Sequence, residues 1–210
     1  MSAGTPGGIG PGPLTELAGA LALRSVYRRW LRPRLRADRV TRMLDIGSAG
    51  DAARRILGWA RQDGLALGLV AIDADHRAVL RGRGRPAWGM TARTATPAEL
   101  IAEGAKYDLI LSDRVLGQLR APEVGALLSE CDDIVAPDGL VVHTDIVCSR
   151  FGTGRWSQQE LIAVVPPGWQ VRRCWPLRVE IVRAGSEPSG DDEPADRDGA
   201  DSDGAFLSLT

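Results

Sequence analysis

Asp45, Gly47 and Gly50 fall in the order D-x-G-x-x-G within LDIGSAG, residues 44–50, where an apolar run gives way to a helix-like pattern. Gly47, Ser48, Ala49 and Gly50 keep side chains small, so a ligand can lie against the backbone while the following helix offers N–H groups without intrahelical partners. Such a turn suits a carboxylate or a ribose. The acid sets it apart: a carboxylate at a strand end calls for a cationic or hydroxyl partner, not for the pyrophosphate that dinucleotide folds place at this turn. The pattern is neither G-x-G-x-x-G nor the Gly-Lys-Ser/Thr of a P-loop. The two histidines, His76 and His143, show no ligand spacing, so no metal is expected. Cys131, Cys148 and Cys174 are odd in number and far apart, and read as reduced thiols.

A regular alternation of elements has to position that turn. Residues 14–35 carry Leu17, Leu21, Val26, Trp30 and Leu31 at roughly helical spacing, with Thr15 as N-cap and Pro33 near the stop, and read as a leading helix. Strands follow at 39–47, 66–73, 89–95, 107–113 and 138–147, with helices at 52–62, 75–83, 97–104 and 122–135 between them. Strands separated by helices of this length pair in parallel through right-handed crossovers, which gives a doubly wound α/β sheet. Residues 169–184 hold two strand-like runs around Trp175-Pro176 and no helix, and read as a C-terminal antiparallel hairpin at the sheet edge. In such a sheet ligands bind at the carboxyl ends of the strands, where strand order reverses. Residues 45–51 occupy such an end.

A chain of 210 residues with 44% hydrophobic content suits one globular domain, expected over 14–184. No apolar stretch is long enough for a membrane span, and the first 13 residues lack a secretion signal, so a cytoplasmic protein is expected, with a short disordered segment at 1–13. From Gly185 the chain carries eight acids and one arginine, and is expected to be a disordered acidic tail. Without it the remaining residues hold 25 basic and 19 acidic groups, a balance of +6 hidden by the near-neutral total.

Over residues 36–184 the sequence resembles the class I S-adenosylmethionine-dependent methyltransferases. LDIGSAG is similar to their first motif, and AIDAD to the second-strand end, where Asp73, 28 residues after Asp45, would accept hydrogen bonds from the ribose hydroxyls and Ala74 would follow it at the cofactor. YDLILSDRVLGQL resembles the fourth strand and its exit loop, LLSECDDIVAPDGLVVHTDI the helix and strand that follow, and ELIAVVPPGWQVRRCWPLRVEIV the last helix and hairpin of a bacterial small-molecule subgroup. The resemblance implies a Rossmann-like fold, S-adenosyl-L-methionine as cofactor and a small-molecule acceptor. Asp45 would face the methionine amino group, Thr96 would lie at the adenine contact, and Ser112 would line the site at the fourth strand's end. His143 and Asp113, with Asp145 near them, are the polar candidates for taking a proton from the acceptor.

Structural roles stand beside these: a helix cap for Asp45, a turn acid for Asp73, a satisfied strand histidine for His143, and packing anchors for Trp156 and Trp169. The Arg-rich stretch RSVYRRWLRPRLR is read as a solvated face and not a nucleic-acid surface, because the fourth-strand loop lacks the Pro-Pro-aromatic pattern of base methylating enzymes. The chain departs from the family at three places. The first glycine loop is one residue short, Arg114 and Gly117-Gln118 replace histidines of the subgroup, and the link from Asp145 to Trp156 is too short for the usual helical cover. The leading helix, a second copy or another protein is then expected to close the acceptor site, and a binding protein without turnover is the alternative to an enzyme.

Overall fold

The computed structural model describes residues 13–47, 51–75, 77, 79, 89–146, 156–175 and 178–183. The expected tails, 1–13 but for Pro13 and 185–210, and most of the helix expected at 75–83, fall outside these residues. The chain opens with α1 (Pro13–Val26), which continues through a π-helical turn (Tyr27–Leu31) and a 3-10 turn (Arg32–Arg34). Then come β1 (Thr41–Ile46), α2 (Asp51–Gln62), β2 (Leu67–Asp73), β3 (Met90–Thr94), α3 (Pro97–Ala102) and β4 (Tyr107–Asp113). A 3-10 turn (Leu116–Gln118), α4 (Ala121–Ile134), β5 (Val135–Ile146), α5 (Gln158–Val164), β6 (Trp169–Trp175) and β7 (Arg178–Arg183) complete the fold.

The strands form one seven-stranded sheet in the order β3-β2-β1-β4-β5-β7-β6. The five strands from β3 to β5 pair in parallel, while β7 pairs antiparallel with both β5 and β6. This is the doubly wound, mostly parallel sheet with a C-terminal antiparallel hairpin. Strands buried on both faces need continuous apolar runs, and YDLILSD supplies one: Leu109, Ile110 and Leu111 in β4 are all fully buried. Successive side chains feed opposite faces. Met43, Leu109, Leu111 and Val142 join α1 and α2 on one side; Leu44, Ile110 and Val141 join α3 and α4 on the other.

α2 buries Ala52, Ala53, Ile56, Leu57 and Ala60, a helical stripe in which three alanines keep the helix axis near the sheet. Two short helices begin with reciprocal caps. Thr96 Oγ1 accepts the Glu99 N–H while Glu99 Oε2 accepts the Thr96 N–H, and Ser157 with Glu160 repeats the device.

The leading helix is part of the core. Leu23, Val26, Tyr27, Trp30, Leu31 and Leu35 are all buried against the sheet and α2, whereas Leu21 is exposed, so most of its described apolar positions are taken up by the face they pack on. Polar tips of two aromatics fix its position. Tyr27 Oη donates to Asp63 Oδ2 at 2.7 Å, and Trp30 Nε1 donates to Glu180 Oε2 at 2.8 Å. Burial and the neighbouring carboxylate both raise the Tyr27 pKa, so the phenol keeps its proton; the same bond, with Arg32 at 3.0 Å, lowers that of Asp63.

Candidate nucleoside-binding site

The chain builds β1, β2 and β3 outward in one direction, then returns to lay β4 on the other side of β1. Strand order reverses there, and connections leaving β1 and β4 in opposite directions leave a crevice above the strand ends. A cavity of about 170 Å³ occupies that crevice, walled by Ile46 and Gly47 from β1, Ile72, Asp73 and Ala74 from β2, and Thr96 after β3. Val115, Gln118 and Leu119, on the turn leaving β4, close it from the other side.

Gly47 adopts φ +75°, and a Cβ at this position would lie 2.6 Å from Val115 Cγ2. Both backbone conformation and space therefore exclude a side chain. The Gly47 N–H donates to the Ile72 carbonyl at 2.8 Å, which ties the end of β1 to that of β2. Asp73 is the acid on the cavity wall. Its Oδ1 accepts the Asp75 N–H at 2.9 Å, so the carboxylate is held by its own turn, and the Ala95 N–H donates to its carbonyl at 3.2 Å.

Four residues singled out from the sequence thus line one cavity: Gly47, Asp73, Ala74 and Thr96. Thr96 also caps α3 through its hydroxyl, so its side chain reaches the cavity already committed to a helix end. Asp45 is fully buried in β1, between Ala71 of β2 and Leu111 of β4, and is not among the residues that line the cavity. Ser48, Ala49 and Gly50 lie outside the described residues. Val115, Gln118 and Leu119 belong to YDLILSDRVLGQL, whose resemblance implies an exit loop beneath the cofactor, but their sequence signal singles out none of the three as a contact.

The polar residues at the ends of β4 and β5 separate onto the two faces of the sheet. Asp113 is 8% exposed and its Oδ1 accepts the Thr144 hydroxyl at 2.7 Å, while Arg114 Nε donates to its Oδ2 at 3.2 Å. Ser112 and His143 lie on the opposite face, both fully buried, with Ser112 Oγ 2.6 Å from His143 Nδ1. The His143 ring packs 5.6 Å from the Trp169 ring, and its Nε2 is buried with no hydrogen-bond partner among the described residues. Burial disfavours the imidazolium and pulls the His143 pKa down to about 3.

This depression sets a pH dependence for folding. An unfolded chain takes up a proton at His143 near its ordinary pKa of 6.5, whereas the folded chain does so only near 3, so stability falls as pH drops through that window. The limiting slope for this one group is about 1.4 kcal/mol per pH unit. Melting curves from pH 7 to 4 should show that decline, and His143→Gln should flatten it; an unchanged slope would remove His143 from the account.

No protein-family model matches the chain, and no curated protein matches it by sequence. The fold has many solved counterparts. The DhpI complex with S-adenosylhomocysteine superposes with a TM-score of 0.58 at 16% identity, over 81% of this chain and 85% of that one. PH0226 from Pyrococcus horikoshii OT3 gives 0.61 at 9% identity, over 80% and 90%. CalO1, a methyltransferase of calicheamicin biosynthesis in its S-adenosylhomocysteine-bound form, gives 0.57 at 15% identity, over 80% of this chain but 54% of its own length. This chain thus spans about half of some counterparts and most of others. The chain shares its fold with these structures, two of which hold S-adenosylhomocysteine and one of which is a methyltransferase.

Proposed function

We propose that this protein binds S-adenosyl-L-methionine and transfers its methyl group to a small-molecule acceptor. The cavity at the β1–β4 reversal carries the reading: a backbone cradle at Gly47 that a Cβ would fill, one wall acid at Asp73, and apolar walls from Ile72, Ala95 and Leu119. That donor set suits a nucleoside, with a carboxylate for ribose hydroxyls and flat apolar surface for a base. Gly47 would let the cofactor lie on the backbone, Asp73 would hold the ribose, and Asp45 would supply negative charge behind the cationic end. When bound, the sulfonium supplies an already activated methyl group, so the protein's part is alignment and, for a hydroxyl acceptor, proton removal.

Asp113 suits proton removal better than His143. It sits at the end of β4 with some exposure and a fixed orientation from Thr144, whereas His143 is fully enclosed and held neutral with a pKa of about 3. In this reading the Ser112–His143 pair orders the strand ends and Asp113 faces the acceptor.

Calorimetric titration tests the reading directly. S-adenosylhomocysteine and S-adenosylmethionine should bind and NADH should not. Asp73→Ala should weaken S-adenosylhomocysteine by ~1–3 kcal/mol, the value of hydrogen bonds to a charged acceptor. Binding indifferent to Asp73→Ala would sink the assignment of the ribose contact, and tighter binding of NADH would sink the cofactor. Among the described residues no cluster of His, Cys, Asp and Glu is arranged to hold a metal, and no helix is long and apolar enough to cross a membrane.

A further inference from the structure

We propose that Asp145 and Trp156 are positioning residues for the nucleoside cavity, acting together on a single peptide group of the turn that floors it. The proposal rests on the cofactor reading above. Val115, Gln118 and Leu119 line the cavity, and the 3-10 turn Leu116–Gln118 carries them. A helical turn starts with N–H groups that have no partner within it. The residue at the N-cap is Val115, whose aliphatic side chain cannot accept a hydrogen bond.

The missing cap arrives from a neighbouring strand. Asp145 Oδ2, on β5, accepts the Gly117 N–H at 2.7 Å. The carbonyl at the other end of the same peptide, that of Leu116, accepts Trp156 Nε1 at 2.8 Å. One amide plane is therefore gripped at both its donor and its acceptor. Asp145 is 4% exposed, so its bond to the N–H is shielded from water. Gly117 leaves room for that carboxylate: a Cβ there would come within 3.3 Å of Asp145 Oδ1.

Neither Asp145 nor Trp156 lines the cavity, so any influence on a ligand passes through the turn. The route is short. Val115 precedes the gripped peptide and packs against Gly47, while Gln118 and Leu119 follow it. The residue before the turn's N-cap is held separately, by the Arg114 N–H on the Thr144 carbonyl at 2.8 Å, and the turn keeps its own Gln118–Val115 and Leu119–Leu116 bonds, so losing the grip loosens the placing of the turn without unwinding it. The arrangement also gives a strand-end acid a role other than proton transfer.

The test titrates the full-length chain and three variants with S-adenosylhomocysteine and with adenosine, well below each melting temperature. Trp156→Phe keeps the ring and removes the N–H; Asp145→Ala removes the acceptor; Asp145→Asn keeps an acceptor oxygen. Trp156→Phe and Asp145→Ala should each weaken both ligands by about tenfold, a size typical of one lost buried hydrogen bond. Asp145→Asn should stay within about threefold of the parent. The double variant should lose little more than the worse single one, because both bonds act on one peptide. A folded Trp156→Phe protein with parental affinity, whatever its melting temperature, would overturn the proposal, and so would strictly additive losses. If the parent chain itself fails to bind S-adenosylhomocysteine, the cofactor reading falls instead.

Discussion

Gly47→Val should abolish S-adenosylhomocysteine binding, with affinity falling at least about a hundredfold and out of calorimetric range. Two separate costs add at this position. The backbone holds φ +75°, where an L-residue pays about 1–2 kcal/mol and a β-branched one more. A Cβ would also sit 2.6 Å from Val115 Cγ2, a contact that forces Val115 into the cavity it lines or splays β1 from the β4 exit turn. Either movement removes the close approach between ligand and backbone. Gly47→Ala should show the same trend more weakly, since it meets the same clash without a branched Cβ. Retention of parental affinity in a folded Gly47→Val protein would place the ligand elsewhere.

Trp30→Ala should cost ~3–5 kcal/mol of stability, the range for deleting a large buried aromatic. The indole is 2% exposed and lies in the cluster with Met43, Leu111 and Val182. Its loss also orphans a charge. Glu180 is fully buried, its Oε2 is held by Trp30 Nε1, and its Oε1 has no hydrogen-bond partner among the described residues, so the substitution leaves a buried carboxylate with neither oxygen satisfied. For a chain of this size the melting temperature should fall by roughly 6–20 °C. Trp30→Phe separates the two terms, because it keeps most of the packing and removes the N–H. A Trp30→Ala protein melting within 2 °C of the parent would show that the leading helix is not the structural element its burial implies.

That helix also shows where reading the sequence stopped short. Its spacing announced a helix, and the alternation of strands and helices announced the sheet, because buried parallel strands and amphipathic crossovers leave periodic patterns. The destination of its apolar face left no such pattern: Trp30 meets Glu180 through a contact between distant parts of the chain. The cavity divides in the same way. Gly47 and Asp73 were legible because a glycine turn after a strand and an acid at the next strand end are local signals. Val115, Gln118 and Leu119 were legible only as part of an exit loop, because ordinary side chains become a particular cavity wall only when β4 is laid beside β1. His143 was visible as a polar residue in an apolar run, but its full burial with Ser112 follows from the register of β4 with β5.

The place of β7 has a consequence for how the chain is made. Glu180 stands 150 residues after Trp30, and β7 is the strand that covers the open side of β5. A chain emerging from synthesis can assemble β1 to β5 in order, but until residues 178–183 arrive β5 keeps the backbone edge of residues 142–146 unpaired, and the Trp30 indole N–H lacks Glu180 as its acceptor. Completion of the core is thus a late, long-range event, and the nascent protein carries an unpaired strand edge from the synthesis of β5 until residues 178–183 emerge, the kind of species that chaperones engage.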